Sequence, residues 1–248
     1  MAATKGVFVT GTDTGVGKTV VSSALVRSLV QTGRSVGVMK PVETGVFLEQ
    51  LSESDAGRLM AAAGVDDGIE EVSPYRFPAP LAPLAAASAQ GRVIEMQEIM
   101  RRYERLAARY SCVVVEGAGG LLVPIGKDWD MRDLIGRIGL PVALVGRAGL
   151  GGINHALLTL EGLRQRRLTV VAVLLNETVP STTTAQQEQC ASTVALLRER
   201  AGVPVLGPLP YRPHLGSDWS GAGETLAQSS PIRELADLVW ANAVGRSG

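Results

Sequence analysis

The sequence predicts an α/β protein of three layers, a mostly parallel central sheet with helices on both faces. Three observations predict it. Short apolar runs alternate with helix-length segments along the chain. Most of those runs are Val-rich and lack polar alternation, as expected of strands covered on both faces. Glycine or polar residues follow the runs, where the crevice of a parallel sheet opens beyond the strand ends.

The elements follow in order. Val7-Phe8-Val9 marks a first strand at 6–10, and a glycine-rich turn leads into a helix at 18–31. A second apolar run, 36–40, stops at Lys40-Pro41. Ser52-Glu53-Ser54 opens a helix at 54–63. The stretch 73–83 holds Pro74, Pro78, Pro80 and Pro83, and is expected to be a loop or extended segment. A helix at 94–109 precedes the strand 112–116, built on Val113-Val114-Val115. A helix at 131–138, a strand at 141–145, a helix at 153–166 and a strand at 168–175 continue the rhythm. A helix at 183–201 and a strand at 204–206 come next. Residues 208–223, rich in Pro, Gly and Ser, are expected to form a long surface loop before a last helix at 232–243.

The bulk numbers narrow the function. A chain of 248 residues suits one large α/β domain or two small ones, and a hydrophobic fraction of 46% supplies an ample core. The 24 basic residues are matched by 24 acidic ones, which argues against a dedicated nucleic-acid or anionic-membrane surface. No stretch approaches 18 apolar residues, so no membrane span is expected. The start of the chain has no apolar signal region, which points to the cytosol. Cys112 and Cys190 form no metal pattern, and Cys112 reads as a buried thiol. With two histidines, His155 and His214, there is no histidine metal cluster; His155 reads equally as structural or functional. No repeat or domain boundary is evident.

The strand ends carry the chemistry. After the first strand stands Gly11-Thr12-Asp13-Thr14-Gly15-Val16-Gly17-Lys18-Thr19. A strand, a glycine-rich turn ending Gly-Lys-Thr, and a helix make a nucleotide-phosphate cradle. Lys18 would sit at the β- and γ-phosphates, and Thr19 would offer its hydroxyl to Mg²⁺. The first glycine falls one residue early for the usual G-x-x-x-x-G-K-[ST] spacing. Either the loop is one residue longer or Gly15 supplies the turn. The motif makes the expected fold phosphate-loop NTPase-like, and its Gly-Lys-Thr ending disfavours a dinucleotide site.

After the second strand comes Lys40-Pro41-Val42-Glu43-Thr44-Gly45, after the third Glu116-Gly117-Ala118-Gly119-Gly120. Glu116 stands where a second Mg²⁺ anchor belongs, or serves as a capping acid. Lys40 would face the phosphates or an anionic reacting group, or be an exposed strand-end lysine. Asp55 at a helix start is explained by first-turn charge. The fourth strand is followed by Gly146-Arg147-Ala148-Gly149-Leu150-Gly151-Gly152-Ile153-Asn154-His155, the fifth by Asn176-Glu177. No G-x-S-x-G elbow is present.

In order and spacing, the phosphate loop, Lys40-Pro-Val-Glu-Thr-Gly, Glu116-Gly-Ala-Gly-Gly and Gly149-Leu-Gly-Gly-Ile-Asn-His resemble dethiobiotin synthetases. The resemblance runs from the first strand past Asn176, and the extended loop is similar to that family's own form. It implies one ATP-dependent synthetase domain over residues 1–248. It also implies carboxylation and ring closure of 7,8-diaminononanoate with CO₂ and ATP, through a carbamate and a carbamic-phosphoric anhydride. Catalysis would fall to Lys40 and Lys18, and Mg²⁺ to Thr19, Asp55 and Glu116. ATP would meet Gly15, Val16, Gly17, Lys18, Thr19, Val20, Asp55, Glu116, Gly117, Ala118 and Gly119. Asn176, Glu177, Leu209, Pro210 and Tyr211 would read or line the base. Thr12, Lys40 and Thr44 would hold the diamine. Gly151 and Asn154 would reach its distal end from the partner subunit of a homodimer.

Two stretches depart from the pattern. Some relatives carry a lysine where this chain has Gly149, and Arg147 is the nearest cation, either a substitute or a dimer-interface residue. Residues 214–230 align with nothing in the family. A second class, the partitioning or positioning ATPases of the same phosphate-loop group, usually carries an additional lysine early in the loop. This chain has Thr12 and Asp13 there. A glutaminase-type synthetase would need a domain for which the chain is too short.

Overall fold

Alternation along the strands divides the core. Val7 and Val9 of the first strand face one set of helices, and Phe8 between them faces the other. The computed structural model describes residues 5–213 and 218–244. Along the chain stand β1 (Lys5–Gly11), α1 (Lys18–Gln31), β2 (Val36–Met39) and β3 (Val42–Thr44), then a 3₁₀ stretch, Leu48–Glu53, and α2 (Asp55–Ala63). Next come α3 (Ile69–Val72), β4 (Tyr75–Phe77), α4 (Pro83–Ala89), α5 (Met96–Arg109), β5 (Cys112–Gly120), β6 (Pro124–Gly126), β7 (Trp129–Asp130) and α6 (Met131–Ile138). The chain continues through β8 (Val142–Arg147), α7 (Gly152–Gln165), β9 (Val170–Asn176), α8 (Thr184–Arg200), β10 (Val205–Leu209), α9 (Trp219–Ala227) and α10 (Ser230–Val244).

Six strands form one sheet in the order β10-β9-β8-β1-β5-β2, and every pairing is parallel. These are the six strands expected from the apolar runs. One face packs on α1, α2 and α10 through Leu25, Leu29, Leu59, Leu235 and Val239. The other packs on α5 and α6 through Ile99, Leu106, Leu134 and Ile135, and on α7 and α8 through Leu160 and Leu197. This is the expected three-layer arrangement.

Parallel strands point their carboxyl ends the same way. β1 is flanked by β5 and β8, so the phosphate loop, Glu116 and Arg147 emerge on one edge. β2 lies beyond β5 and delivers Lys40 to the same edge. Cys112 is fully buried, and burial pushes its thiol up to about 11.

One expectation gains detail and one needs correction. The proline-rich stretch contains β4, which pairs in parallel with β3 and buries Tyr75 and Phe77. The prolines flank this three-residue strand, so none removes a donor from it. Part of the stretch 208–223 is helical, not a surface loop. α9 begins at Trp219, and the Asp218 carboxylate accepts from Gly221 N at 2.9 Å. α9 lies along α1, tied by Arg27–Glu224 at 3.2 Å, and buries Leu226 and Ala227. Its small residues, which read as loop composition, allow that close packing. His214 lies outside the described residues. Among the described residues, no helix is long and apolar enough to cross a membrane.

Candidate active site

The loop after β1 turns at two glycines with positive φ, Gly15 at 75° and Gly17 at 95°. Gly15 therefore supplies a turn inside the longer loop. Gly17 is also the position before α1, and a Cβ there would collide with the Asn176 side-chain amide. No side chain caps α1, and its first turn holds no acidic residue. The helix thus presents its unpartnered N–H groups and the positive end of its dipole to an anion.

Lys18 opens α1 and donates from Nζ to Asp13 O at 2.9 Å. Burial, with the nearby Lys40 charge, lowers its pKa to about 8, despite opposing attraction from Glu116, Asp55 and Asp13. At neutral pH it is still mostly charged, and an arriving polyphosphate would raise its pKa again.

Beside the loop is a four-residue cluster. Lys40 is 3% exposed, and its ammonium meets Glu116 Oε1 at 2.6 Å, Asp55 Oδ2 at 2.7 Å and Gly117 O at 3.2 Å. Those contacts use all three of its donors. Burial alone would depress its pKa, but the Glu116 and Asp55 charges outweigh burial and raise it above the ordinary lysine value. Lys40 is therefore a permanent cation and not a base. Glu116 is fully buried, and its Oε1 also accepts from Thr19 Oγ1 at 2.9 Å. Burial opposes ionisation of Asp55, yet Lys40, a Thr19 hydrogen bond and the Arg58 charge hold its pKa below the usual carboxylate value.

Asp55 reaches the cluster because α2 is aimed. Ser54 caps α2, accepting from Gly57 N at 3.0 Å. The Glu43 carboxylate accepts from Asp55 N at 2.6 Å and Ala56 N at 3.3 Å. Glu43 is itself buried, and burial next to Asp55 raises its pKa. It ties the start of α2 to the strand that follows Lys40.

A cavity of about 670 Å³ opens over these groups. Of the residues expected at the site, Gly15, Gly17, Lys18, Thr19, Val20, Lys40, Thr44, Asp55, Ala118 and Gly119 line it. Glu116 and Gly117 adjoin it through their Lys40 contacts. The others lie elsewhere. Asn176 donates from Nδ2 to Val16 O at 3.1 Å, bracing the loop from β9. Glu177 N donates to Leu209 O at 3.0 Å, and the Glu177 carboxylate accepts from Tyr211 N at 3.4 Å, which gathers the β9 and β10 ends, with Pro210 between Leu209 and Tyr211. Thr12 lies off the cavity wall, with its methyl toward Gly146 and its hydroxyl buried without a partner. Gly151 and Asn154 are exposed at the start of α7. Arg147 pairs with Asp13 of the loop at 3.2 Å.

Glu43, Arg58, Trp219 and the segment 80–83 also line the cavity, and none was expected there from sequence. Glu43 belongs to the Lys40-Pro-Val-Glu-Thr-Gly motif, and Arg58 stands three residues after Asp55, one helical turn along. Nothing local to the sequence marks Trp219.

The cluster also fits a divalent cation. Its donors are carboxylate and hydroxyl oxygens, the hard ligands that Mg²⁺ takes together with phosphate oxygens. Glu116 Oε2 is buried without a hydrogen-bond partner, a free acceptor beside Thr19 and Asp55.

A parallel sheet with a glycine-rich phosphate cradle at β1 defines a phosphate-loop nucleotide-binding protein, and a family model described as an AAA domain matches residues 5–218. The MinD cell division protein of Aquifex aeolicus superposes with a TM-score of 0.57 at 15% identity, covering 98% of each chain. The ATP complex of Cyanothece McdA gives 0.55 at 11% identity, covering 99% of this chain and 98% of that one. At such identities the likeness shows the fold alone. The sequence relatives are more specific. An ATP-dependent dethiobiotin synthetase from Thermodesulfovibrio yellowstonii is 38% identical over 94% of this chain and 99% of its own. One from Anaeromyxobacter dehalogenans is 42% identical over 90% of this chain and 97% of its own. One from Bacillus subtilis is 35% identical over 83% of this chain and 87% of its own. The chain belongs to the ATP-dependent dethiobiotin synthetase family.

Proposed function

We propose that this chain, as one domain over residues 1–248, converts 7,8-diaminononanoate, CO₂ and ATP to dethiobiotin, ADP and phosphate in biotin synthesis. The observation that carries this reading is the meeting of Lys18, Thr19, Lys40, Asp55 and Glu116 at one cavity, in a chain of this family.

The chemistry follows from the charges. One substrate amine adds to CO₂ as a carbamate and loses a proton. A carbamate oxygen then attacks the γ-phosphorus, and the bond to the β,γ-bridging oxygen breaks, leaving ADP. The second amine attacks the carbonyl of the mixed anhydride. The carbon–oxygen bond breaks, the ureido ring closes and phosphate departs.

This chain's residues serve each stage electrostatically. The loop 15–20 holds the phosphates, and Lys18 turns from Asp13 O to the phosphate in transit. Thr19, Asp55 and Glu116 would hold Mg²⁺, which when bound neutralises phosphate charge. Lys40, with its pKa raised, donates to the carbamate; one of its three present contacts must turn to admit it. Thr44 lines the cavity where the diamine would lie, near the apolar wall of Pro80, Leu81 and Val123.

The same reading assigns Thr12 to the diamine and Asn176, Glu177, Leu209, Pro210 and Tyr211 to the adenine. It makes the protein a cytoplasmic homodimer, with Gly151 and Asn154 completing the partner's site. Their exposure in this chain supports that assignment.

The test is omission. Phosphate release is expected only when diamine, CO₂, ATP and Mg²⁺ are all present. Equal ATP hydrolysis without the diamine would contradict the synthetase reading and favour a nucleotide-switched ATPase.

A further inference from the structure

The cavity wall includes Thr19 and Val20 of α1, Arg58 of α2 and Trp219 of α9, and both α2 and α9 pack on α1. Arg58 lies one turn after Asp55 on α2, so both side chains leave the same helix face. The Arg58 guanidinium lies over the Trp219 indole, 4.1 Å from the ring centroid. Trp219 begins α9, which the Asp218 cap and the Arg27–Glu224 pair hold against α1. The ring is thus a fixed platform. It orients the guanidinium plane without using any of its N–H donors.

The other cations of the wall are engaged. Lys18 rests on Asp13 O, and Lys40 is saturated by Asp55, Glu116 and Gly117 O. The Glu43 carboxylate is taken by two backbone N–H groups of α2. Among the described residues, no carboxylate lies within 4 Å of the Arg58 guanidinium, and no side-chain hydrogen bond occupies it. An oriented, partly buried guanidinium with its N–H donors unused by any side chain, at the edge of a phosphate cavity, is built for a phosphate or a carboxylate. Position decides between them. Arg58 stands on α2, which packs on α1, and its charge acts on Asp55, which also hydrogen-bonds Thr19 in the first turn of α1, where the phosphate chain must lie. The apolar residues suited to an alkyl chain, the segment 80–83 and Val123, lie on the other side: Pro80 is beside Gly45, next to Thr44, and Val123 is beside Gly119.

We propose that Arg58, oriented by the Trp219 ring, is a further nucleotide-binding residue that donates to the phosphate chain of ATP. The assignment rests on the phosphate-loop reading of the site and adds to it a cation from α2. It makes α2 serve the nucleotide twice, through Asp55 and through Arg58.

The experiment compares the binding of ADP and a non-hydrolysable ATP analogue to the intact protein and to Arg58→Gln, Arg58→Lys and Trp219→Leu, by calorimetry and by indole fluorescence. Arg58→Gln is expected to raise both nucleotide Kd values about 10- to 100-fold, the loss of a charge-assisted hydrogen bond. The KM for the diamine should stay as it is. Arg58→Lys keeps the charge and should recover part of the affinity. Trp219→Leu should lose about 3- to 10-fold, together with most of the nucleotide-induced fluorescence change. A loss of that size follows when an oriented donor becomes free to rotate. Unaltered nucleotide binding by Arg58→Gln would overturn the assignment. So would a raised diamine KM with nucleotide affinity intact, which would make the guanidinium a carboxylate site. If the unsubstituted protein bound no nucleotide, the phosphate-loop reading would fall, and this assignment with it.

Discussion

Replacing Lys40 by Ala should lower dethiobiotin formation about a hundred- to a thousandfold while nucleotide still binds. The reason lies in the cluster. Lys40 is buried, its ammonium touches two carboxylates, and its pKa is raised, so it contributes fixed positive charge beside the γ-phosphate cradle. The carbamate and the phosphoryl group both gather negative charge there in the transition state. The phosphate contacts themselves come from the loop and Lys18, and these the variant keeps. The variant also carries a stability cost. It leaves Glu116, fully buried, without its cation, and breaking one partner of a buried pair costs about 3–5 kcal/mol. That is a large share of the stability of a typical domain. Lys40→Met loses the same cation and donors but keeps the apolar stem, so it avoids the added cavity that Ala leaves and is the better kinetic probe. Single-turnover phosphate release and nucleotide titration on folded Lys40→Met should separate the two effects. Normal turnover in that variant would remove the assigned role.

Glu116→Gln should weaken Mg²⁺ about 10- to 100-fold, and turnover should fall with it. The scale follows from measured losses when groups supporting a metal site are changed. The substitution preserves shape and burial. Its amide oxygen can still accept from Thr19 and Lys40, which both donate to Oε1, but it removes the negative charge and replaces the free Oε2 acceptor by an amide donor. Nucleotide affinity measured with and without Mg²⁺ reads the effect directly. In the unsubstituted protein Mg²⁺ should tighten binding, and in Glu116→Gln most of that gain should vanish. A gain of the same size in both would remove Glu116 from the metal site.

Much of the site was legible because it is assembled from strand ends. Each of Gly11–Thr19, Lys40 and Glu116 closes an apolar run, and a parallel sheet brings all such ends to one edge. The pattern needs only local sequence. What local sequence does not carry is which strands are neighbours. That β5 lies between β1 and β2, bringing Glu116 within reach of both Thr19 and Lys40, is a non-local fact. Asp55 shows the limit clearly. By its own surroundings it is a first-turn acid, and α2 does place it at its first position. Its meeting with Lys40 depends on Glu43, twelve residues away, holding two N–H groups of α2. Helix α9 was missed for a related reason. Its Gly, Ala and Ser content reads as loop, because the packing against α1 that makes small residues useful comes from a distant part of the chain. The roles proposed for Asp55, Thr44 and Asn176 rest on the resemblance to the family and not on the strand ends.

In the proposed mechanism a carbamate oxygen, and not water, attacks the γ-phosphate over the Lys40 cluster. Oxygen transfer distinguishes the two. The enzyme with diamine, ATP and Mg²⁺ is mixed with oxygen-18 CO₂ in unlabelled water and quenched before the label exchanges with solvent, and the released phosphate is analysed by mass. One labelled oxygen is expected in each phosphate formed, because the anhydride oxygen comes from CO₂ and leaves with phosphorus when the ring closes. Phosphate released without label, at the same rate as dethiobiotin, would contradict carbamate attack.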